Sequence, residues 1–298
     1  MLGFAIVIAL LFAQQFIAAN DHVHRSSQAY FISNVNLVDV ELGVVVAGQD
    51  VELRDHTITS ISAHQSLPAP QDAHMIDGTG KFLLPGLWDM HTHSWKTSPE
   101  LHHPLFIAYG VTTVRDLSGC LSHDDPFWAC PADRDQWNTA LQNGTSLSPR
   151  YIEQSSYQTN GGSEVPSDFD DFFRLKDQSA AFALVAFYQS QGVTSIKPYS
   201  ELSQDQYSNL VQAAKAQGLK VAGHRPLAVS LDTLLSLQQD SVEHGRLFLF
   251  ACHRQAQEFM SQTDPVAAYT SDFIRSMIVE RNHEECDALM QRMSLSNT

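Results

Sequence analysis

The first part of the chain alternates hydrophobic and polar residues in the manner of β-strands. Short runs rich in valine, isoleucine and aromatic residues are separated there by glycine, aspartate or asparagine. Five such runs cover residues 30–32, 35–40, 44–46, 50–53 and 57–61. Because strands of this kind pair with their neighbours along the chain, we predict a small meandering sheet that forms a layer of its own.

Beyond this region the pattern changes to apolar runs that alternate with helical segments, which is typical of βα units and a parallel sheet. A predicted helix at 98–109 precedes a β-branched strand at 110–116. Residues 118–162 read as loop-rich, and we interpret them as a long surface loop around a third strand near 150–153.

The unit at 193–224 gives the clearest βα signal. A capping box predicts that its helix begins after Ser203, and Gly218 predicts where that helix ends. A second short helix at about 231–237 then precedes a strand that leads to His244.

Composition limits the class of protein. The chain has 298 residues, of which 43% are hydrophobic, so it can bury a sizeable core in one large domain or two smaller ones. Its net charge of −15 and the absence of Lys/Arg clusters argue against a nucleic-acid partner, because phosphate contacts need grouped cations.

The N-terminus resembles a secretory signal. An apolar run at 2–13 is followed by small residues up to Ala19, which predicts cleavage near Ala19 and export to a periplasmic or secreted location. Only the α-amino group supplies positive charge before the run, so an uncleaved anchor or a mispredicted start stays open as the alternative. The run is short for a membrane span, and we expect no integral span after cleavage.

The four cysteines contain no C-x-x-C pair, which argues against a thiolate zinc cluster. In an oxidising compartment Cys120 and Cys130 could close a small loop. The sequence does not decide the connectivity, and unpaired thiols are an equal alternative for Cys252 and Cys286.

The strongest chemical signal is the segment 83–93, an apolar stretch that ends in His91 and His93. Successive side chains of a strand point to opposite faces, so these two histidines share a face and can bind one metal ion. Lys197, His224 and His244 follow, each at or just after the end of a short apolar run.

Such residues would meet at one edge of a parallel barrel, because active sites there gather at the carboxyl ends of the strands. A lone histidine is more often structural than a ligand, and we interpret the others in this way: His22, His24, His56, His64, His74, His102, His103, His123, His253 and His283.

Five segments together resemble the amidohydrolase superfamily, in particular its imidazolonepropionase-like and Xaa-Pro dipeptidase-like branch. They are residues 85–93, 110–116, 196–197, 223–224 and 243–245. The resemblance extends over roughly residues 35–246. It implies a composite β-sandwich beside a TIM (β/α)8-type barrel, and two divalent metals, usually zinc, that share a carboxylated lysine.

Carried over by this resemblance, His91 and His93 would hold the more buried metal, Lys197 would bridge both, and His224 and His244 would hold the exposed one. Lys197 binds a metal only as a carbamate, and burial would lower its pKa enough for CO2 to react. The alternative is a plain lysine in a salt bridge.

Substrate contact is a candidate role for Tyr199 and Arg225. Packing at the barrel rim and a surface charge, respectively, are equal alternatives.

The chain also departs from the family pattern, which places a catalytic aspartate at the end of the eighth strand. After His244 the sequence predicts acidic helices at 247–260 and 271–293 and no further strand. The acidic residues there, Asp264, Asp272 and Asp287, lie in loop or helical contexts. We therefore expect a C-terminally truncated barrel of about six strands, with little hydrolase activity by itself.

The resemblance thus implies a metal-dependent hydrolase of carbon–nitrogen bonds (amide, dipeptide or lactam) that acts through a metal-bound hydroxide on a small-molecule or dipeptide substrate. The alternative is an inactive relative that serves as a metal-binding or interaction protein. The uncovered edges of an open barrel favour a partner chain or a homo-oligomer. The expected organisation is a signal peptide at 1–19, a β-sandwich portion at 29–81, the barrel at 82–246 and a helical tail at 247–298.

Overall fold

The structure is a computed structural model that describes residues 29–162, 164–244, 252–253, 255, 258–259 and 265–296. The chain forms two compact units, the first ending at Pro85 and the second beginning at Gly86. The predicted signal peptide at 1–19 lies outside the described residues, as does most of the predicted helix at 247–260. Within the described ranges, no helix is long and apolar enough to cross a membrane.

The first unit contains one five-stranded sheet. Its strands are β1 (Ala29–Asp39), β2 (Val44–Arg54), β3 (Thr57–Ala63), β4 (Ala73–Asp77) and β5 (Phe82–Leu83). Strands β1, β2 and β3 pair in succession and antiparallel, as a meander does. Strands β4 and β5 depart from the meander, because both pair with β1 in parallel.

Four of the five predicted runs are joined in pairs into the long strands β1 and β2, so the predicted breaks inside them are wrong. In β1 the pairing register shifts between Ile32 and Val35, and Asn34 has a positive φ of 57°. The buried Asp50 carboxylate accepts the backbone N–H of Asn34 at 2.8 Å and that of Gln65 at 2.9 Å. The polar residues that resemble a turn therefore form a β-bulge within a continuous strand.

The second unit contains a six-stranded parallel sheet in the order β11-β10-β9-β8-β7-β6. Its strands are β6 (Leu87–Thr92), β7 (Val111–Asp116), β8 (Arg150–Thr159), β9 (Ser195–Pro198), β10 (Lys220–Gly223) and β11 (Ser241–Val242). His91 on one edge strand hydrogen-bonds to Glu243, just after the other, with 2.7 Å between Nδ1 and Oε2. The sheet therefore curls, and the predicted α/β fold with six strands of a TIM-type barrel is confirmed.

Helices occupy the connections between these strands and the end of the chain. They are α1 (Ser98–Leu101), α2 (His103–Ala108), α3 (Pro131–Gln142), α4 (Gln178–Ser190), α5 (Gln204–Ala216), α6 (Leu231–Leu237), α7 (Pro265–Ala268), α8 (Ser271–Val279) and α9 (His283–Ser294). Ser203 caps α5 as predicted, and Gly218, with a φ of 75°, follows its end. The predicted bounds of α6 are confirmed as well.

Three predicted segments differ from the structure. The predicted helix at 98–109 is divided into α1 and α2, because Pro104 lacks the N–H that would continue α1. The loop-rich interpretation of 118–162 is wrong, since α3 lies within it and β8 extends to Thr159. The predicted helix at 271–293 is divided into α8 and α9.

The core of the second unit lies between the sheet and the helices α4 and α5. Leu184 on α4 and Leu210 on α5 are fully buried against Ile196 of β9 and Val221 of β10. Removing this much apolar surface from water is the main favourable term in folding. It also fixes β9 and β10, whose carboxyl ends carry the chemistry described below.

All four cysteines are paired, in the disulfide bonds Cys120–Cys130 and Cys252–Cys286. The loop closure expected for the first pair is confirmed. The alternative of unpaired thiols for Cys252 and Cys286 is wrong.

Candidate active site at the carboxyl ends of the strands

His91 and His93 stand at the end of β6. Their Nε2 atoms are 3.2 Å apart. At that distance either one ring donates a proton to the other, or both lone pairs face a shared cation. Partial burial, and then the charge of Lys197, lower the pKa of His93 to about 4, which favours the neutral ring that a metal requires.

Lys197 on β9 reaches the same point from across the sheet. Its side chain is buried, and its Nζ lies 3.2 Å from the His93 Nε2. Burial lowers the pKa of Lys197 to about 8, against the opposing charges of Asp116 and Glu243. A neutral amine is therefore accessible near physiological pH, and only that form can add CO2.

His224 and His244 follow β10 and β11. The His244 ring lies 4.6 Å from the His91 ring and 4.7 Å from the His224 ring, measured between centroids. The His224 Nδ1 is 2.8 Å from the Ser200 hydroxyl. His244 has a backbone φ of 101°, which residues other than glycine rarely adopt. Such backbone conformations cluster at functional sites.

The structure thus brings together all five residues that the sequence proposed as metal ligands. It also adds Glu243, whose role the sequence analysis missed. The Glu243 carboxylate contacts the His91 Nδ1 at 2.7 Å through Oε2, and Oε1 accepts bonds from Ser241 and Arg115 at 2.6 and 2.5 Å. Glu243 and Arg115 both lie in segments that resemble the amidohydrolase superfamily. That resemblance is the sequence signal that could have revealed the role of Glu243.

Burial alone would raise the pKa of Glu243, but the hydrogen bonds from His91 and Ser241 and the charge of Arg115 outweigh burial and hold the pKa at about 2. Glu243 is therefore ionised at neutral pH. An ionised carboxylate at Nδ1 keeps the proton of His91 on that nitrogen and leaves the Nε2 lone pair directed into the cluster.

The two candidate substrate contacts have different surroundings. The Tyr199 ring stacks on the His224 ring at 4.0 Å, and its centroid is 5.7 Å from the Lys197 Nζ. Arg225 is buried, and its Nη1 donates to the Val229 carbonyl at 2.6 Å. The alternative interpretation of Arg225 as a surface charge is therefore wrong.

Asp116 at the end of β7 is fully buried in an ion pair with Arg134, with 3.1 Å between Oδ2 and Nε. Arg134 also donates to the carbonyls of Ser118 and Ala129. This pair fixes the chain at the beginning and the end of the loop that the first disulfide closes.

The donor set decides which group the cluster could hold. Within the described ranges, no group of three or more His, Cys, Asp or Glu side chains is arranged to hold a metal ion as it stands. The His91 and His93 Nε2 atoms nevertheless present two imidazole ligands to one point, which suits a borderline cation such as zinc. Lys197 could complete the set once it has lost its positive charge.

The chain is similar in sequence to a known protein. No protein-family model matches the chain. An adenine deaminase from Desulforamulus reducens is 26% identical to it over 236 residues, which cover 73% of this chain and 36% of that protein. The chain therefore spans well under half the length of this curated relative.

Two solved structures share the fold. A protein from Bifidobacterium longum described as a prolidase has a TM-score of 0.58 at 18% identity, over 85% of this chain and 68% of its own. A Xaa-Pro dipeptidase with methionine bound in its active site has a TM-score of 0.58 at 17% identity, over 90% of this chain and 77% of its own.

A curled parallel sheet with a histidine and lysine cluster at its carboxyl edge defines the class, a barrel protein whose site lies at the top of the strands. In sequence the chain is similar to that adenine deaminase and in fold to the two solved structures, which agrees with the resemblance of its motifs to the amidohydrolase superfamily.

Proposed function

We propose that the protein is a hydrolase of carbon–nitrogen bonds in small molecules or dipeptides. The observation that carries this proposal is the convergence of His91, His93, Lys197, His224 and His244 at one edge of the sheet. The names of the similar proteins support it, since they include an adenine deaminase and a Xaa-Pro dipeptidase.

The proposal includes two divalent metals, most suitably zinc. His91 and His93 would hold one, His224 and His244 the other, and Lys197 would bridge them as a carbamate. When bound, such a centre polarises the scissile carbonyl and supplies a hydroxide at neutral pH.

The chain's own residues prepare this chemistry. Glu243 keeps the Nδ1 proton on His91, and Ser200 holds the His224 ring through Nδ1. The described ranges contain no counterpart of the eighth-strand aspartate, and Asp272 and Asp287 lie on α8 and α9. Proton transfer to the leaving nitrogen therefore has no assigned residue among them.

Export is a further part of the proposal. The apolar run at 2–13 supports it, and so do the two disulfide bonds, because disulfides persist in oxidising compartments.

The test combines metal content and turnover. Protein prepared without chelators should contain zinc by elemental analysis, and the His91→Ala/His93→Ala variant should lose it. The matched control is His56→Ala/His123→Ala, which removes two exposed histidines from outside the cluster. An equal metal content in the two double variants would contradict the metal assignment.

Turnover is measured with dipeptides, N-acyl amino acids and lactams, using this chain and the same chain extended by the C-terminal region of a full-length relative. We expect the extended chain to be faster by about 10²–10⁴-fold, the usual contribution of a general acid or base. Absence of turnover in both proteins would contradict the hydrolase proposal and favour the binding-protein alternative.

A further inference from the structure

Aromatic rings stand beside the histidine cluster, on the side of His93. The Trp128 ring lies 6.1 Å from the His93 ring and 6.4 Å from the Tyr157 ring. Phe127 and Trp95 contact Trp128, at 5.3 and 6.4 Å between centroids. We call Trp95, Phe127, Trp128 and Tyr157 the aromatic wall.

None of the four rings of this wall is fully buried. Phe127 is 51% exposed and Trp128 is half-buried. Leaving large apolar rings in contact with water forgoes the stabilisation that their burial would bring. Exposed aromatic surface next to a polar cluster is typical of a ligand-binding surface.

The loop that carries Phe127 and Trp128 is held rigidly. The Cys120–Cys130 disulfide bond closes it. Inside the loop, the Asp125 carboxylate accepts the backbone N–H groups of Leu121, Phe127 and Trp128 at 3.1, 2.9 and 2.9 Å. One side chain thus fixes the backbone on both sides of the loop.

The same loop is joined to the strand end that presents the histidine pair. The Lys96 N–H donates to the Phe127 carbonyl and the Ala129 N–H donates to the Ser94 carbonyl, both at 3.0 Å. These bonds begin one residue after His93, so the position of the wall relative to His93 is set by backbone pairing. A binding surface with so few adjustable bonds loses little entropy when a ligand arrives.

We propose that the aromatic wall is the specificity surface of this site, and that it selects substrates with an aromatic ring next to the scissile carbon–nitrogen bond. The assignment of a substrate class rests on the proposed hydrolase function. A substrate whose scissile carbonyl lies at the histidine cluster would place a ring bonded directly to that carbonyl, as in an N-aroyl amino acid, beside the wall. Edge-to-face contacts with such a ring add stabilisation that an alkyl group does not receive.

The test is titration calorimetry of the full chain with N-benzoylglycine and N-acetylglycine, carried out with zinc and bicarbonate and repeated without them. We expect N-benzoylglycine to bind about tenfold more tightly, the gain of one or two aromatic contacts. Trp128→Ala and Trp128→Leu should each reduce this ratio to about threefold or less, whereas Trp128→Phe should keep it because the ring remains. The matched control is Trp88→Ala, which removes an exposed tryptophan outside the wall and should keep the wild-type ratio.

Equal affinities of the wild-type chain for the two ligands would overturn the inference. So would a ratio that survives in both Trp128→Ala and Trp128→Leu. Hydrolysis of the same two compounds is followed in parallel, which separates the two proposals. A preserved binding ratio without turnover by either this chain or the extended chain contradicts the hydrolase function alone, and turnover without a preference contradicts the aromatic wall alone.

Discussion

At the scale of single residues, Glu243 connects the two edges of the barrel sheet. It follows β11, yet its carboxylate contacts His91 on β6 and Arg115 on β7. Its side chain is only 10% exposed, so these bonds act in a medium that screens charge weakly. Glu243 is therefore a positioning residue. It holds the proton of His91, a proposed metal ligand, on Nδ1 and fixes the orientation of the His91 ring.

Replacing Glu243 with glutamine should weaken zinc binding by about 10–100-fold, the usual effect of losing the partner of a ligating histidine. Glutamine keeps a similar shape but removes the charge that holds the His91 proton on Nδ1. Competition with a chromophoric chelator measures the affinity, and Glu41→Gln in the first unit is the control. An affinity equal to that of the control variant would show that Glu243 does not act through His91.

At the scale of elements, the loop closed by Cys120 and Cys130 depends on one buried arginine. Arg134 on α3 pairs with Asp116 and donates to two loop carbonyls, and neither charged side chain is exposed. Removing one partner leaves an uncompensated charge in the interior, which costs more than the pair contributes.

Arg134→Leu should therefore destabilise the protein by about 3–5 kcal/mol, because Asp116 remains buried without its cation. The measurement is urea unfolding followed by tryptophan fluorescence. Arg150→Leu removes an exposed arginine at the start of β8 and should change stability by about 0.5 kcal/mol or less. A loss below about 1 kcal/mol in Arg134→Leu would contradict this account of the loop.

The elements also show what a sequence pattern can predict. The helix α5 could be predicted because its capping box is a local signal, and so are its apolar residues at helical spacing. Those residues are Tyr207, Leu210, Val211 and Ala214, and all four are buried. The helix α3 was missed because its buried positions include Pro131 and Arg134, which look like loop residues until the partner of the arginine is known. A buried ion pair with a distant residue leaves no local pattern.

At the scale of the whole molecule, the candidate ligands could be predicted because each lies at or just after the end of a strand, and the ends of parallel strands meet at one edge. Glu243 and the aromatic wall could not be predicted in the same way. The Glu243–His91 contact joins residues 152 positions apart in the sequence and exists only because the sheet curls. The wall depends on the backbone pairing of residues 94–96 with residues 127–129. The pattern of apolar and polar residues in these segments does not predict that pairing.

The central claim is that His91, His93, Lys197, His224 and His244 form one centre that holds two divalent metals. Anomalous X-ray scattering at the zinc edge, from crystals grown with zinc and bicarbonate, tests it most directly. The account predicts two anomalous peaks, one about 2.0–2.1 Å from the Nε2 atoms of His91 and His93 and a second beside His224 and His244, and electron density for a carboxylate bonded to the Lys197 Nζ. Zinc bound only elsewhere, with an unmodified Lys197 beside the histidine pair, would contradict it.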